Sequence, residues 1–447
     1  MALTQPIFLK APASKSVSHR ALIAAALAPG KSLLKNVLDS RDTLCTMSCL
    51  AEGGATFSEG EEIRVYGMAQ GPLGGEDGPV YLNVEESGTT CRLITAVAAA
   101  GVGSFRVFGK GRMHDRPIKD LAGALESQGV HFQWEEKPGY PPFVMETEGL
   151  PGGKLRISMD ESSQYLSGLL LAAPLAAKPT AVMVGGSKVV SWPYVSLTLQ
   201  VMEAFGVKVQ VQTYDGEAWS DADYRKLTLV APGKVRFIVR PKEYTPREYE
   251  VEGDYSNASY LLAAGAIGSR PVCVGGLDPE SLQGDRKILD ILDLMGAGVD
   301  IEDGGVTISP GSGLHGVELD MADCPDLVPT VGVLAALAEG ETRITGVAHL
   351  RLKESDRLEG VAAELRRVGA HVETTEDGMV VDPSGASRDG KHRFLTYDDH
   401  RMAMSMSLFR LAGIGVKLDN PDCVAKSYPG FWEDWKILAV GALRGGK

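Results

Sequence analysis

No stretch of this 447-residue chain is apolar enough for long enough to cross a bilayer. The first dozen residues also lack the apolar core of a secretory leader. Cysteine is sparse and scattered, at positions 45, 49, 91, 273, 324 and 423, with no CxxC pair. That excludes a disulfide framework and a zinc knuckle, and predicts reduced thiols in a cytoplasm. The eight histidines are equally dispersed, with no HxxxH pair, so no metal is expected. An excess of positive charge is missing too: the net charge is -13. Such a chain is a poor general binder of nucleic acid or anionic membrane. Cations gathered at one place in it therefore point to a focused pocket for a small anion.

The composition is that of an ordinary globular protein, 44% hydrophobic and 23% charged, with length enough for two to four domains. A repeat is visible: a helix-like run ends in Gly and passes at once into alternating apolar residues. Three copies are Leu50–Phe57 around Gly54, Leu125–Phe132 around Gly129 and Met202–Val209 around Gly206. Three more are Met295–Ile301 around Gly298, Leu365–Val372 around Gly369 and Leu411–Leu418 around Gly415. One copy is a common turn between helix and strand. Six copies, three in each half, predict six βα units in two similar domains. The polar stretch from Tyr214 to about Glu250 separates the halves, and 227–230 with 235–239 flank Pro232-Gly233 as an expected hairpin. The Gly-rich segment 67–78 reads as a surface loop.

Several cation- and hydroxyl-rich segments stand directly before apolar helices. Pro12-Ala-Ser-Lys15-Ser16-Val-Ser-His-Arg20 leads into Ala21–Leu27. A helix N-terminus with its free N–H groups favours an anion, and Lys15 adds charge at its mouth. Ser16 and Arg20, four apart, share a face. Glu86-Ser-Gly88-Thr-Thr-Cys-Arg92 has the same form, with Arg92 in the first turn. Gly109-Lys-Gly-Arg112-Met-His-Asp-Arg116-Pro117 gathers cations before a helix that Pro117 opens at its first position. Asp160-Glu-Ser162-Ser163-Gln164 supplies hydroxyl, amide and backbone donors. Asp326 stands ahead of an apolar helix over 328–338. Arg351-Leu-Lys353-Glu354-Ser-Asp356-Arg357 is dense in opposite charges, and Lys353 and Arg357 have helical spacing. Tyr397-Asp-Asp-His400-Arg401 and Lys426 complete the set. Taken singly, each segment also reads as a capped helix or a solvated face. One near-miss is rejected. Ala25-Ala-Leu-Ala-Pro-Gly30-Lys-Ser32 lacks the first Gly of a phosphate-binding loop and follows a helix instead of linking a strand to one.

Jointly, and in order, these segments resemble the 5-enolpyruvylshikimate-3-phosphate synthase (3-phosphoshikimate 1-carboxyvinyltransferase) family over nearly the whole chain. The most specific are Ser14–Arg20, Gly111–Pro117, Ser162–Gln164, Leu352–Arg357 and Asp399–Met404. The resemblance implies an α/β fold, a two-domain inverted α/β barrel in which each domain holds three βαβαββ repeats. Residues 14–250 would form one domain, residues 1–13 and 251–447 the other, with the active site in the cleft between them. It implies transfer of the enolpyruvyl group of phosphoenolpyruvate to the 5-hydroxyl of shikimate 3-phosphate, without metal or organic cofactor, by a monomer. Two anionic substrates sharing one site require many cations. By resemblance Lys15, Ser16, Arg20, Ser162, Ser163, Gln164, Ser191, Asp326 and Lys353 contact shikimate 3-phosphate. Lys15, Gly88, Arg112, Gln164, Arg357, Arg401 and Lys426 contact phosphoenolpyruvate. Asp326 is implied as the base on the 5-hydroxyl, Glu354 as the acid–base group at C3, and Lys15 as a third catalytic group. Sensitivity to glyphosate at the phosphoenolpyruvate pocket is implied as well. Glu86 and His349 stand where the family often has Asn, and Trp192 where it often has Lys. UDP-N-acetylglucosamine enolpyruvyltransferases share this chemistry, but their loop usually carries a reactive Cys, absent from Lys110–Pro117. A non-catalytic anion-binding relative is the other alternative.

Overall fold

Apolar residues on every face mark a helix for the interior, and this chain has several such helices. Lys15–Leu27 is buried continuously from Val17 onward. Gly88–Ala99, Gln164–Ala172, Tyr255–Ile267 and Val328–Leu337 are buried nearly all round. The computed structural model describes residues 5–443 except 59, 229 and 388. It divides into two units, one of Lys15–Val251 and one of the described residues up to Ser14 together with those from Glu252 onward.

Among the described residues each unit contains three small sheets, all mixed but one, and none closes on itself. In the Lys15–Val251 unit the strand pairs Glu248–Glu250 with Gly30–Lys35, Val80–Asn83 with Val102–Phe108, and Gly153–Met159 with Thr180–Val189 are parallel. A buried helix links the strands of the last two pairs, as a parallel crossover requires. An antiparallel pair then extends each sheet. The other unit repeats the plan with Ile7–Lys10 beside Val272–Gly275 and Glu318–Asp320 beside Thr342–Thr345. Its third sheet holds only Lys391–Phe394 and Gly415–Leu418 among the described residues. Within this unit Ser14 N–H donates to Glu252 O and Asp254 N–H to Pro12 O, both at 2.8 Å. Residues 12–14 and 252–254 thus run side by side.

The repeat glycines make left-handed turns, at Gly54, Gly129, Gly206 and Gly369 with φ from 84° to 112°. Two expectations are corrected. The turn residues of the fourth and sixth copies are Gly296 and Gly413, and Gly298 and Gly415 instead open the strands that follow. The sixth copy also follows the first helix of its repeat and leads to a parallel strand, so it is not equivalent to the other five. A helix–Gly–strand pattern marks a local turn, not its place in the sheet.

The hairpin expected across Pro232-Gly233 is absent. Leu227, Thr228 and Val230 lie in no strand, and Leu229 lies outside the described residues. Val235–Val239 pairs instead with Gln210–Tyr214 and Thr180–Val189. The hairpin of this region is Gln210–Tyr214 with Trp219–Asp221, turned by Asp215, whose carboxylate accepts from the N–H groups of Glu217 and Ala218. The carbonyl of Leu227 is taken by the Trp192 indole N–H at 3.0 Å. Trp192 is buried and therefore anchors this long segment.

Candidate active site

Every residue singled out by the resemblance lies just after a strand of a parallel pair, at or near the start of the following helix. Lys15, Gly88 and Gln164 are the first residues of their helices, and Asp326 and Arg401 flank the starts of theirs. Arg112, Ser191, Lys353 and Lys426 lie before the second helices of their repeats. In open α/β sheets this carboxyl edge of the parallel strands is where ligands gather, because helix N–H groups and flexible loops meet there.

In the Lys15–Val251 unit, the helices starting at Lys15, Gly88 and Gln164 carry no acidic residue in their first turns. Lys15 Nζ lies 3.2 Å from the buried carboxylate of Asp42. Ser16 is partly exposed beside it. Arg20 is 1% exposed. It donates to Thr198 Oγ1, Ser16 O, Ser167 Oγ and Tyr194 O at 2.7–3.3 Å. None of these partners is a carboxylate, and burial lowers its pKa to about 10. Four of its N–H groups are committed to protein, so Arg20 acts on its surroundings mainly as a buried charge. His19 Nδ1, Thr46 and Thr90 form a buried chain with links of 2.7 Å that ties the Lys15 helix to the Gly88 helix.

Gln164 is gripped by Arg92 Nη1 and by Thr89 Oγ1, both at 2.9 Å. Ser162 Oγ accepts from the Gln164 N–H at 3.2 Å. Ser163 caps the helix position without a side-chain bond. Ser191 is buried with φ of 56°, a left-handed conformation that a non-glycine residue adopts at a cost. Arg112 is exposed on the short 3₁₀ turn Gly111–Asp115. Pro117 does not open the next helix, which begins at Lys119. Instead its carbonyl accepts from Tyr165 and Arg92. Arg116 is buried against Gly88, where an added β-carbon would meet Arg116 Nη2 at 2.2 Å. The exposed Glu86 directs its carboxylate at Gly111, so it lies over the Arg112 turn.

In the other unit, Arg357 is 1% exposed and bonds three carboxylates. They are Asp326 Oδ1 at 2.8 Å, Glu354 Oε2 at 2.9 Å and Asp399 Oδ2 at 2.9 Å. Arg401 Nη2 donates to Asp326 Oδ2 at 3.0 Å and its Nη1 to Ser256 Oγ at 2.5 Å. Lys426 Nζ stands 3.7 Å from Glu354 Oε1. Lys353 has an extended backbone after the 3₁₀ turn Ala348–Leu352, and the helix starts only at Arg357. The helical face expected for Lys353 and Arg357 therefore does not form. His349 is buried in that same turn. Burial alone would raise the pKa of Asp326, but Arg401, Lys353 and Arg357 outweigh it and hold the carboxyl well below the usual range.

Sequence reasoning missed Asp42, and named Asp399 and Arg116 only as members of their segments without these pairings. Asp42, Asp399 and Arg116 are buried charges that orient Lys15, Arg357 and the Gly88 turn. Asp399 had one signal, a position that caps the Arg401 helix through the Arg401 N–H at 2.9 Å.

The repeated sheets and the cations clustered around paired carboxylates define an α/β group-transfer enzyme for anionic substrates. The chain belongs to the EPSP synthase (3-phosphoshikimate 1-carboxyvinyltransferase) family, whose model matches residues 7–224 and 227–435. It is 40% identical to the 3-phosphoshikimate 1-carboxyvinyltransferase of Methanosphaerula palustris, covering 97% of this chain and 96% of that protein. It is 38% identical to the enzyme of that name from Aeromonas salmonicida, covering 96% and 95%. Its fold is similar to a solved EPSP synthase of Acinetobacter baumannii, with a TM-score of 0.75 and 26% identity over 97% of this chain and 95% of that one. No helix among the described residues is long and apolar enough to cross a membrane.

Proposed function

We propose that this chain transfers the enolpyruvyl group of phosphoenolpyruvate to the 5-hydroxyl of shikimate 3-phosphate, releasing phosphate, within aromatic amino acid biosynthesis. The observation that carries this reading is the Asp326–Arg357–Glu354 cluster, with Arg401 and Lys426 on its flanks. It combines two carboxylates for proton transfer with the cations that two anionic substrates need.

In this reading the 5-hydroxyl oxygen attacks C2 of phosphoenolpyruvate while Asp326 takes its proton. Glu354 delivers a proton to C3, giving a tetrahedral intermediate. The C2–O bond to phosphate then breaks, C3 returns its proton to Glu354, and the departing phosphate takes the proton held by Asp326, which restores both carboxyl groups. Lys15 supports the charge on the phosphate. Ser16, Arg20, Ser162, Ser163, Gln164, Ser191 and Lys353 serve shikimate 3-phosphate. Gly88, Arg112, Gln164, Arg357, Arg401 and Lys426 serve phosphoenolpyruvate. Asp326 paired to two guanidiniums is a weak base. The substrate carboxylate and phosphate draw on the same guanidiniums, so binding strengthens Asp326 when a base is required. Each set draws residues from both units. A cytoplasmic monomer is proposed, and the six free thiols support that compartment.

The deciding assay measures phosphate release from phosphoenolpyruvate with shikimate 3-phosphate, with UDP-N-acetylglucosamine, and with neither. Release is expected only with shikimate 3-phosphate. Release with the nucleotide sugar would move the chain to the rival enolpyruvyl transferases, and none with either would make it an anion-binding relative.

Glyphosate is expected to inhibit in competition with phosphoenolpyruvate. Gly88→Ala places a methyl group on the Arg116 guanidinium, which has to swing away. The fold tolerates this because the far end of a flexible side chain moves. The inhibition constant should rise more than the Michaelis constant for phosphoenolpyruvate, since the bulkier ligand needs the space that the methyl group fills. Equal sensitivity of the two proteins would remove Gly88 from the pocket.

A further inference from the structure

In five of the six sheets the second strand of the parallel pair also carries an antiparallel strand on its far edge. The sixth sheet lacks one among the described residues, so Gly415–Leu418 has an open edge. The N–H groups of Gly415 and Asp419 donate to Gly390 O and Phe394 O, at 2.8 and 3.2 Å. Direction alternates along a strand, so the N–H groups of Val416 and Leu418 point out from that edge. A groove lies where the other sheets have their antiparallel strand. One part of it, about 340 Å³, is lined by Val416, Leu418, Pro421, Asp422, Trp432 and Trp435. The other, about 540 Å³, is lined by Lys391, Arg393, Lys417 and the turn at Gly413. Arg410 and Val416 line both parts, which therefore adjoin.

The cations of this groove lack partners. Among the described residues, the side chains of Lys391, Arg393, Arg410 and Lys417 make no hydrogen bond or ion pair. Lys391 and Arg393 alternate onto the exposed face of their strand, and Arg393 lies in register with Lys417. Neighbouring strands are about 5 Å apart, so these like charges oppose each other. This happens in a chain of net charge -13, and the one carboxylate among the described lining residues, Asp422, lies on the Trp side. On that side the Trp432 indole N–H donates to Pro421 O at 2.9 Å, and its ring meets Phe431 edge to face at 4.8 Å. Trp432 is thus fixed in orientation while partly exposed.

We infer that this groove is a binding site for a small polyanion carrying a flat ring, the chemistry of a nucleoside polyphosphate. Its phosphates take Lys391, Arg393, Lys417 and Arg410, which relieves their mutual repulsion. Its ring lies against Trp432. Exposed ion pairs contribute little singly, so the ring contact is needed as well. None of these residues takes part in the enolpyruvyl reaction, and the site stands independently of that reading.

Calorimetry of the whole protein at low ionic strength, without divalent metal, tests this with ATP, tripolyphosphate and adenosine. ATP should bind most tightly, tripolyphosphate less so and adenosine least. Arg393→Ala with Lys417→Ala should weaken ATP and tripolyphosphate roughly tenfold. Trp432→Leu should weaken ATP roughly tenfold and leave tripolyphosphate unaltered. Phosphate release should be unchanged in both variants. Should Trp432→Leu not fold, as judged by its thermal transition, the double alanine variant decides. No ATP binding by wild type overturns the inference. Unchanged ATP binding in the double variant also overturns it, because the nucleotide then sits on other cations. An extended peptide of alternating Glu and Val that binds where ATP does not would make the open edge a strand-docking surface, and overturns it likewise.

Discussion

Asp326→Asn should lower turnover by roughly two to four orders of magnitude while the protein still binds shikimate 3-phosphate. The amide matches the carboxylate in size but accepts no proton at neutral pH. It also neutralises Arg357 and Arg401 less well than the carboxylate that bonds them at 2.8 and 3.0 Å. The freed guanidiniums are then available to substrate. The Michaelis constant for phosphoenolpyruvate should accordingly stay level or fall while kcat collapses. That split distinguishes loss of a base from loss of a binding residue. Single-turnover phosphate release with calorimetric binding of shikimate 3-phosphate provides both readings. Near-normal turnover would remove Asp326 from the chemistry.

Arg357→Met should destabilise the protein by about 3–5 kcal/mol, the usual effect of removing one partner from a buried ionic cluster. Methionine keeps much of the volume, so the change isolates the charge. Three carboxylates lose their common cation, and one of them, Asp399, is fully buried. The pH dependence has a definite sign. Asp326 is held below its ordinary value of 3.8, so its stabilisation is complete above that value and is lost as pH falls below it. In the variant Asp326 lacks this cation and takes up a proton more readily. The difference between the proteins should therefore shrink as the solution is made acidic. Urea unfolding at neutral pH and at about pH 4.5 measures this. An unchanged midpoint at neutral pH would show that the cluster stabilises nothing net.

Local signals in the sequence carried far. A glycine is needed wherever the chain leaves a helix through a left-handed turn, and the turns at Gly54, Gly129, Gly206 and Gly369 stand where the pattern put them. The pattern failed where two glycines stood two residues apart, as in Gly296 and Gly298, because only backbone conformation tells a turn residue from a strand opener. The hairpin over Pro232-Gly233 failed for a related reason. A turn-forming pair permits a hairpin, but strand partners are chosen across the sheet, and Val235–Val239 found better ones in two distant segments.

The candidate site divides in the same way. Composition, spacing and the Lys15, Ser162–Gln164, Lys353–Arg357 and Asp399–Arg401 segments were enough to nominate cations, hydroxyls and carboxylates for an anionic ligand. These are statements about residue type, and type is written in the chain. What each group is bonded to was decided only by folding. Lys15 meets Asp42, Arg20 is held by helices far along the sequence, and Arg357 binds Asp326 and Asp399 across more than thirty positions. Such pairings set proton affinities, because burial and neighbouring charge act over a few ångströms of space and are indifferent to sequence separation. The sequence by itself therefore determined which chemistry this protein is equipped for. The tertiary structure decided which cations hold Asp326 ionised and which cation is already spent on protein partners.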